Sequence, residues 1–191
     1  MLAFQEKDAE FFFGRETFVD DLVRVVQQQP LVAVIGLSSS GKSSVVFAGL
    51  IPRLRDEGNW LIESFRPQKD PFFSLACALV RLLKPELDEI QQLEPAIKLN
   101  VEPEKWTLTL PQVVANLLKR HPGKRLLLVI DQFEELYSQD TEEQHQFVDT
   151  LLEAVRSAPR RLKLVLTLRA DFLNYVLNYP PLGETLRQPT Q

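Results

Sequence analysis

Residues 36–43, with the sequence GLSSSGKS, form the part of the chain best suited to chemistry. Gly36 and Gly41 let the backbone curl so that successive N–H groups face one point, which is how a protein loop holds phosphate oxygens. Lys42 adds a point charge for the terminal phosphates, and the Ser43 hydroxyl is a ligand for Mg²⁺. The sequence therefore predicts a phosphate-binding loop. The residues expected to contact the phosphates are Gly36, Ser38, Ser39, Ser40, Gly41, Lys42, Ser43 and Ser44.

A second set of chemical groups follows the apolar run LLLVI at residues 126–130. Asp131 ends this run, and ligands of a parallel sheet bind where its strands end. Asp131 is therefore expected to face Lys42 and to hold Mg²⁺, directly or through water. Glu134 and Glu135 come next, and one of them would polarise the water that attacks the γ-phosphate. The pair also fits solvated charges at a turn.

Alternating helical and strand patterns surround these residues and predict an α/β fold with a mostly parallel sheet. Two of the strands are wholly apolar, as expected for a sheet covered on both faces. Residues 85–107 contain three prolines and are predicted to be an irregular insertion. Strands are predicted at residues 31–35, 60–65, 126–130 and 162–168, and helices at residues 16–28, 42–55 (bent before Pro52), 71–84, 110–120 and 141–156, with a last one from residue 171.

Composition limits the class of protein. The chain has 191 residues, 45% of them apolar and 25% charged, which favours one globular domain. The net charge of −4 gives no reason to expect nucleic acid or an anionic membrane as a partner. Apolar runs are too short to span a bilayer and the N-terminus lacks a signal design, so we expect a cytoplasmic protein.

Four segments together resemble the nucleotide-binding domain of STAND-type NTPases, the signal-transduction relatives of AAA+ ATPases, and especially their novel STAND group, which is often found in bacterial multidomain proteins. The DQFEEL and TLRADF segments are much more specific than the phosphate loop, which is shared by many NTPases. The resemblance covers nearly the whole chain and implies a three-layer P-loop NTPase fold of the ASCE type. The four segments are FFFGRE (11–16), GLSSSGKSS (36–44), LLLVIDQFEEL (126–136) and LVLTLRADF (164–172).

The resemblance also implies roles for particular residues. Asp131 is the metal carboxylate, and Glu134 is the favoured catalytic residue with Glu135 second. Thr167 and Arg169 match the sensor of the γ-phosphate. In the N-terminal segment of residues 1–30, the residues that match the lining of the adenine pocket are Phe13, Gly14 and Arg15. The implied ligands are ATP or ADP with Mg²⁺.

The chain departs from the family pattern at its C-terminal end. Such domains order their sheet 5-1-4-3-2, followed by a helical lid and a winged-helix domain, whereas this chain ends shortly after the fourth predicted strand. We therefore expect a domain truncated after that strand, with protein partners that bind through the missing domains. We also expect self-association through the first strand, or marginal stability, unless the N-terminal segment or the last helix covers the edge of that strand.

Three functions remain open on the sequence. The first is an ATPase that acts as a signal-transduction switch through slow hydrolysis. The second is a nucleotide-binding module without turnover, because the lid is missing. The third is a small-molecule phosphotransferase, which we rank last because residues 85–107 contain no arginine for a mobile lid.

Overall fold

The computed structural model describes residue 8 and residues 14–100, 109–138 and 141–187. Strands and helices alternate along the chain, as the sequence predicts. The strands are β1 (Leu31–Gly36), β2 (Trp60–Phe65), β3 (Arg125–Ile130) and β4 (Leu162–Arg169). The helices are α1 (Glu16–Gln28), α2 (Lys42–Ser44), α3 (Ile51–Asp56), α4 (Pro71–Leu83), α5 (Glu89–Asn100), α6 (Leu110–Arg120), α7 (Thr141–Ser157), α8 (Leu173–Asn178) and α9 (Pro180–Arg187). A π-helical segment (Val45–Leu50) joins α2 to α3, and two 3₁₀ segments (Phe133–Ser138 and Ala170–Phe172) follow β3 and β4.

The four strands form one parallel sheet in the order β1-β4-β3-β2. This is the order expected for the family without its fifth strand. The register aligns Gly36 with Arg169, and Phe65 with Ile130. The residues that follow the four strands therefore lie together at one end of the sheet, where the carboxyl ends of the parallel strands are side by side.

Helices cover both faces of the sheet and produce a three-layer core. On one face, α1 and the segment from Val45 to Asp56 pack on apolar side chains that include Val34 and Val129. On the other face, α4, α6, α7 and α9 pack on the alternate side chains of the same strands, such as Leu128 and Leu166. Because both faces are buried, the two runs at residues 31–35 of β1 and 126–130 of β3 are continuously apolar.

The helix that follows the phosphate loop changes its winding before Pro52, where the sequence predicts a bend. Proline has no N–H and its ring clashes with the preceding turn, so a regular α-helix cannot continue through it. The chain responds with the wider π turns of Val45–Leu50, and the N–H of Ile51 donates to the carbonyl of Val46. The predicted single helix is thus continuous but has three segments.

The prediction of an irregular insertion at residues 85–107 was wrong for its centre, where α5 forms. Asp88 and Gln91 make a reciprocal capping pair, in which each side chain accepts the backbone N–H of the other residue, at 2.8 and 3.2 Å. Ala96 is fully buried against α4, and this packing offsets the cost of Pro95 inside the helix. Residues 101–107 lie outside the described residues.

The end of the chain also differs from the prediction of one last helix. The described residues form the 3₁₀ segment Ala170–Phe172 and then α8 and α9, which are separated at Tyr179. Pro180 and Pro181 start α9, since proline is favoured in a first helical turn. Within the described ranges, no helix has the length and apolar character needed to cross a membrane.

Candidate functional site

The phosphate loop begins where β1 ends and closes tightly on itself. Ser39 and Gly41 have positive φ values of 59° and 84°, and the Ser40 N–H donates to the Leu37 carbonyl at 3.2 Å. A Cβ on Gly36 would lie 2.6 Å from the Ser40 hydroxyl oxygen, so only glycine fits there without a shift. The curled backbone that the sequence predicts is therefore present.

Lys42 is the cationic residue of the phosphate loop, and its side chain folds back to the start of the loop. The Lys42 ammonium donates to the carbonyl of Leu37 at 2.8 Å. Ser38 and Ser39 are exposed at the tip of the loop, whereas Ser44 is buried beneath it. A phosphate bound to the loop would compete with the Leu37 carbonyl for the Lys42 ammonium.

Asp131 is the centre of the site, although only 1% of its surface is exposed. Its Oδ1 accepts hydrogen bonds from the Ser43 hydroxyl at 2.6 Å and from the Thr167 hydroxyl at 2.8 Å. The Gln132 N–H in turn donates to Thr167 Oγ1 at 2.9 Å, which fixes the direction of that hydroxyl. The structure thus brings together three residues that the sequence places 36 or more positions apart.

Arg66 is a fourth member of this cluster, and the sequence analysis missed it. Its Nε and Nη2 lie 3.0 and 2.9 Å from Asp131 Oδ2. Arg66 follows β2 as Asp131 follows β3, and the pairing of Phe65 with Ile130 makes the two residues neighbours. Examining the first residue after every predicted strand would have found it.

The two glutamates of the 3₁₀ segment face different parts of the site. Glu134 Oε2 accepts the Arg169 N–H at 3.2 Å, on the side of the sheet that carries the phosphate loop. Glu135 Oε2 accepts the Gln68 N–H at 3.0 Å, on the side of β2. The amide of Gln132, oriented to satisfy both neighbours, donates to Glu135 Oε1 at 2.8 Å. Glu134 is thus nearer the loop, and Glu135 is held by two hydrogen bonds.

Arg169 lies beside the phosphate loop, and its side chain binds Asp171, two residues further along the chain. Its Cα is aligned with that of Gly36 in the sheet. Its guanidinium binds Asp171 in a fork, with distances of 3.2 and 2.7 Å, and lies 5.3 Å from the centre of the Phe172 ring. To reach a phosphate on the loop, the guanidinium would have to leave Asp171.

Only part of the expected adenine pocket lies within the described residues, because Phe13 does not. The Gly14 N–H donates to Glu16 Oε1 at 3.0 Å at the start of α1. The Arg15 guanidinium donates to the Ser40 carbonyl at 3.3 Å. This contact joins the N-terminal segment to the phosphate loop.

The residues present fit a nucleoside phosphate with Mg²⁺. The Ser43 hydroxyl donates its one proton to Asp131 and keeps its oxygen lone pairs for a cation. A hydroxyl and a carboxylate are the hard oxygen ligands that Mg²⁺ prefers, and phosphate and water complete its shell. No group of three or more His, Cys, Asp or Glu side chains within the described ranges forms a self-sufficient metal cage. The site therefore suits a metal that arrives with phosphate.

Three solved structures with similar folds come from Pyrococcus abyssi and Aeropyrum pernix. A Walker-type ATPase of Pyrococcus abyssi is 19% identical, with a TM-score of 0.56, and the match covers 95% of this chain and 53% of that one. The Aeropyrum pernix ORC2 protein, in ADPNP and ADP complexes, is 16% identical, with a TM-score of 0.58 and coverage of 92% and 46%. The ORC1 protein of the same organism, in complex with DNA, is 18% identical, with a TM-score of 0.54 and coverage of 93% and 44%.

These likenesses concern the fold, and the chain spans about half the length of each of these structures. No curated protein sequence matches the chain. The family model of Novel STAND NTPase 1 matches residues 1–191 from end to end. Together with the phosphate loop, the parallel sheet and the buried aspartate beside them, this match shows that the chain is a P-loop NTPase domain that belongs to the novel STAND NTPase 1 family.

Proposed function

We propose that this domain binds ATP with Mg²⁺ and hydrolyses it slowly, as the nucleotide-dependent switch of a signal-transduction protein. The observation that carries the proposal is the hydrogen bond between Ser43 of the phosphate loop and the buried Asp131 at 2.6 Å. It joins the phosphate-binding backbone to a carboxylate with the chemistry of a metal ligand. A carboxylate at this place fits a cation bound together with phosphate, and hydrolysis is tested separately below.

Each residue has a role in this proposal. The N–H groups of residues 38–44 bind the phosphate oxygens, because the curled loop directs its N–H groups to one point and the first N–H groups of the helix after it have no partner within the helix. The Ser40 N–H would leave the Leu37 carbonyl to do so. Lys42 leaves the Leu37 carbonyl for the terminal phosphates. Ser43 and Asp131 hold the cation, which when bound neutralises phosphate charge.

Glu134 orients the attacking water in this scheme, and its position on the loop side of the sheet supports that choice over Glu135. Thr167 positions Asp131 through its hydrogen bond. Arg169 senses the γ-phosphate by exchanging Asp171 for it, since a guanidinium binds phosphate and carboxylate oxygens with the same fork. Phe13, Gly14 and Arg15 keep their proposed place beside the base.

Binding without turnover is the second candidate function. The Arg169–Asp171 pair favours it, because the guanidinium is already bound at two points to Asp171. A domain that never recruits Arg169 would hold nucleotide but stabilise the transition state poorly. Release of phosphate from ATP separates the two candidates.

Nucleotide is the only small ligand that we propose. We still expect that the domain does not bind nucleic acid, because its net charge is −4. The DNA in the ORC1 complex is a property of that protein.

The substitution Lys42→Ala tests nucleotide binding. We expect ATP and ADP with Mg²⁺ to raise the melting temperature of the wild type, because a ligand at 100 times its Kd adds about 2.7 kcal/mol to the free energy of unfolding. Lys42→Ala should fold normally and lose this shift. GTP and GDP, measured in the same way, define the base preference.

The matched control is Lys119→Ala, which removes an exposed lysine of α6 far along the chain from the loop. It should respond to nucleotide like the wild type. Equal stabilisation of wild type and Lys42→Ala by ATP would contradict the assignment of the loop.

A further inference from the structure

Both oxygens of the Asp131 carboxylate have partners. A carboxylate has about four lone-pair positions, two on each oxygen. Oδ1 accepts from the Ser43 and Thr167 hydroxyls, which uses both of its positions. Oδ2 accepts from Arg66 Nε at 3.0 Å, and Arg66 Nη2 lies 2.9 Å from the same oxygen in an ion pair. A cation that binds Oδ2 would therefore lie against the guanidinium, whose charge opposes it, unless Arg66 leaves.

Arg66 is the donor that can leave most easily. Thr167 is 1% exposed and lies within β4, and Ser43 is in the first turn after the loop, so both hydroxyls are fixed by the backbone. The Arg66 side chain is 46% exposed and long enough to turn into solvent. A divalent cation also repels a guanidinium but not a hydroxyl, whose oxygen it attracts.

A second acceptor is available to the displaced side chain. When the Gln132 amide is oriented to satisfy both neighbours, its oxygen lies 3.3 Å from Arg66 Nη2 and its nitrogen donates to Glu135 Oε1 at 2.8 Å. The Glu135 carboxylate is thus the next negative group along this series of hydrogen bonds. Arg66 can move toward it without a large change of the backbone.

We propose that Arg66 is a displaceable counter-ion: it neutralises the buried Asp131 while the site holds no metal, and the divalent cation must displace it from Oδ2 to enter. The proposal deepens the function proposed above and rests on its metal site. Arg66 is accordingly a positioning residue, which sets how tightly the domain holds its metal. The resemblance to STAND-type NTPases assigns no role to Arg66.

The test measures Mn²⁺ affinity by electron paramagnetic resonance, with Mn²⁺ as the probe for Mg²⁺. Arg66→Gln removes the charge and keeps a polar side chain, so the cation no longer competes with it. The variant no longer makes the charged hydrogen bond between Arg66 and Asp131, which the cation must break in the wild type. We therefore expect Mn²⁺ to bind about tenfold more tightly to the variant in the presence of saturating ADP. Arg66→Lys keeps a charge but not the fork, and its Mn²⁺ affinity should lie between those of the wild type and Arg66→Gln.

The control is Arg81→Gln, which breaks a comparable ion pair with Glu63 (2.9 Å, with 37% of the arginine side chain exposed) away from the site. Its Mn²⁺ affinity should equal that of the wild type. A second measurement is the melting temperature without nucleotide. In EDTA, Arg66→Gln should melt at a lower temperature than the wild type. Addition of Mn²⁺ should then raise the melting temperature of Arg66→Gln by more than it raises that of the wild type.

An unchanged or weaker Mn²⁺ affinity in Arg66→Gln would overturn the proposal, and would mean that Arg66 is only structural or helps to hold the metal. If Arg66→Gln does not fold, the same decision falls on Arg66→Lys against the wild type. If ADP does not bind to the wild type, the proposed function fails by itself. Mn²⁺ titration of the nucleotide-free proteins then still decides whether Arg66 competes with the cation.

Discussion

At the scale of single residues, the site depends on how a buried charge is satisfied. Asp131 is 1% exposed, and an unpaired carboxylate at that depth would be costly. Two hydroxyls and one guanidinium remove this cost without a metal. The side chains around Asp131 therefore stabilise its buried charge, and they hold the carboxylate next to the phosphate loop.

Glu134→Gln should preserve ATP binding and slow hydrolysis by about 10²–10⁴-fold, the usual effect of losing a general base. The glutamine keeps an oxygen for the Arg169 N–H, so the fold should not change. The measurement is phosphate release at saturating ATP, with the melting shift by ATP as the check on binding.

The matched control for this substitution is Glu135→Gln, which lies next to Glu134 but bonds to Gln68 and Gln132. We expect a smaller loss of rate from it. Loss of hydrolysis in Glu135→Gln alone would reverse our choice between the two glutamates.

At the scale of elements, the starts of helices are set by short local patterns. The Asp70 side chain accepts the Phe73 N–H at 2.8 Å, and Pro71 occupies the first turn of α4, as the sequence predicts. α4 then packs beside β2 and contributes Leu75 and Leu79 to the core. A polar residue at the surface thus fixes where a buried helix begins.

Asp70→Ala should lower the free energy of unfolding by about 1 kcal/mol, the typical cost of losing an N-cap. The reason is that the Phe73 N–H loses its partner while the core stays unchanged. Urea unfolding measures the effect. Asp70→Asn keeps an accepting oxygen and should remain within a few tenths of a kcal/mol of the wild type, about the range found for good caps. An equal loss in both variants would mean that the charge of Asp70, and not the cap, is stabilising.

At the scale of the whole molecule, β1 is the edge of the sheet that carries the phosphate loop. Its strand partner among the described residues is β4, on one side. α1 and α9 pack in the apolar clusters on the two faces of the sheet, which include Val32 and Val34 on one face and Leu31 on the other. Ile35 is 42% exposed and Leu37 is 74% exposed beside that edge. Apolar edge strands of this kind pair with other chains.

We therefore predict that the 191-residue chain self-associates through β1. Ile35→Lys should reduce this association, because a lysine at an edge opposes pairing with a second strand. Size-exclusion chromatography with light scattering over a concentration series gives the mass of each variant.

Ile90→Lys is the control for self-association, since Ile90 is 80% exposed on α5, away from the edge. It should associate like the wild type. A wild-type chain that stays monomeric at high concentration would show that the edge does not pair.

The sequence by itself determined the features that are encoded locally. The phosphate loop, the apolar strands and the Asp70 cap each depend on residues within a few positions of one another, so their patterns are visible in one dimension. The order of the sheet was predicted from the resemblance of several such segments to one family. Asp131 was predicted because a carboxylate that directly follows a buried strand lies at the end of a parallel sheet where ligands bind.

Only the tertiary structure decided the contacts between distant elements. Arg66 was not predicted because its partner lies 65 positions away, and its position directly after a predicted strand does not by itself reveal that partner. α5 was missed because the burial of Ala96 against α4, which offsets Pro95, cannot be seen in its own residues. Arg169 was placed correctly at the end of β4, but the choice of Asp171 as its partner depends on the turn that follows. Burial and ion pairing are properties of neighbours in space, and the fold, not the local sequence, selects those neighbours.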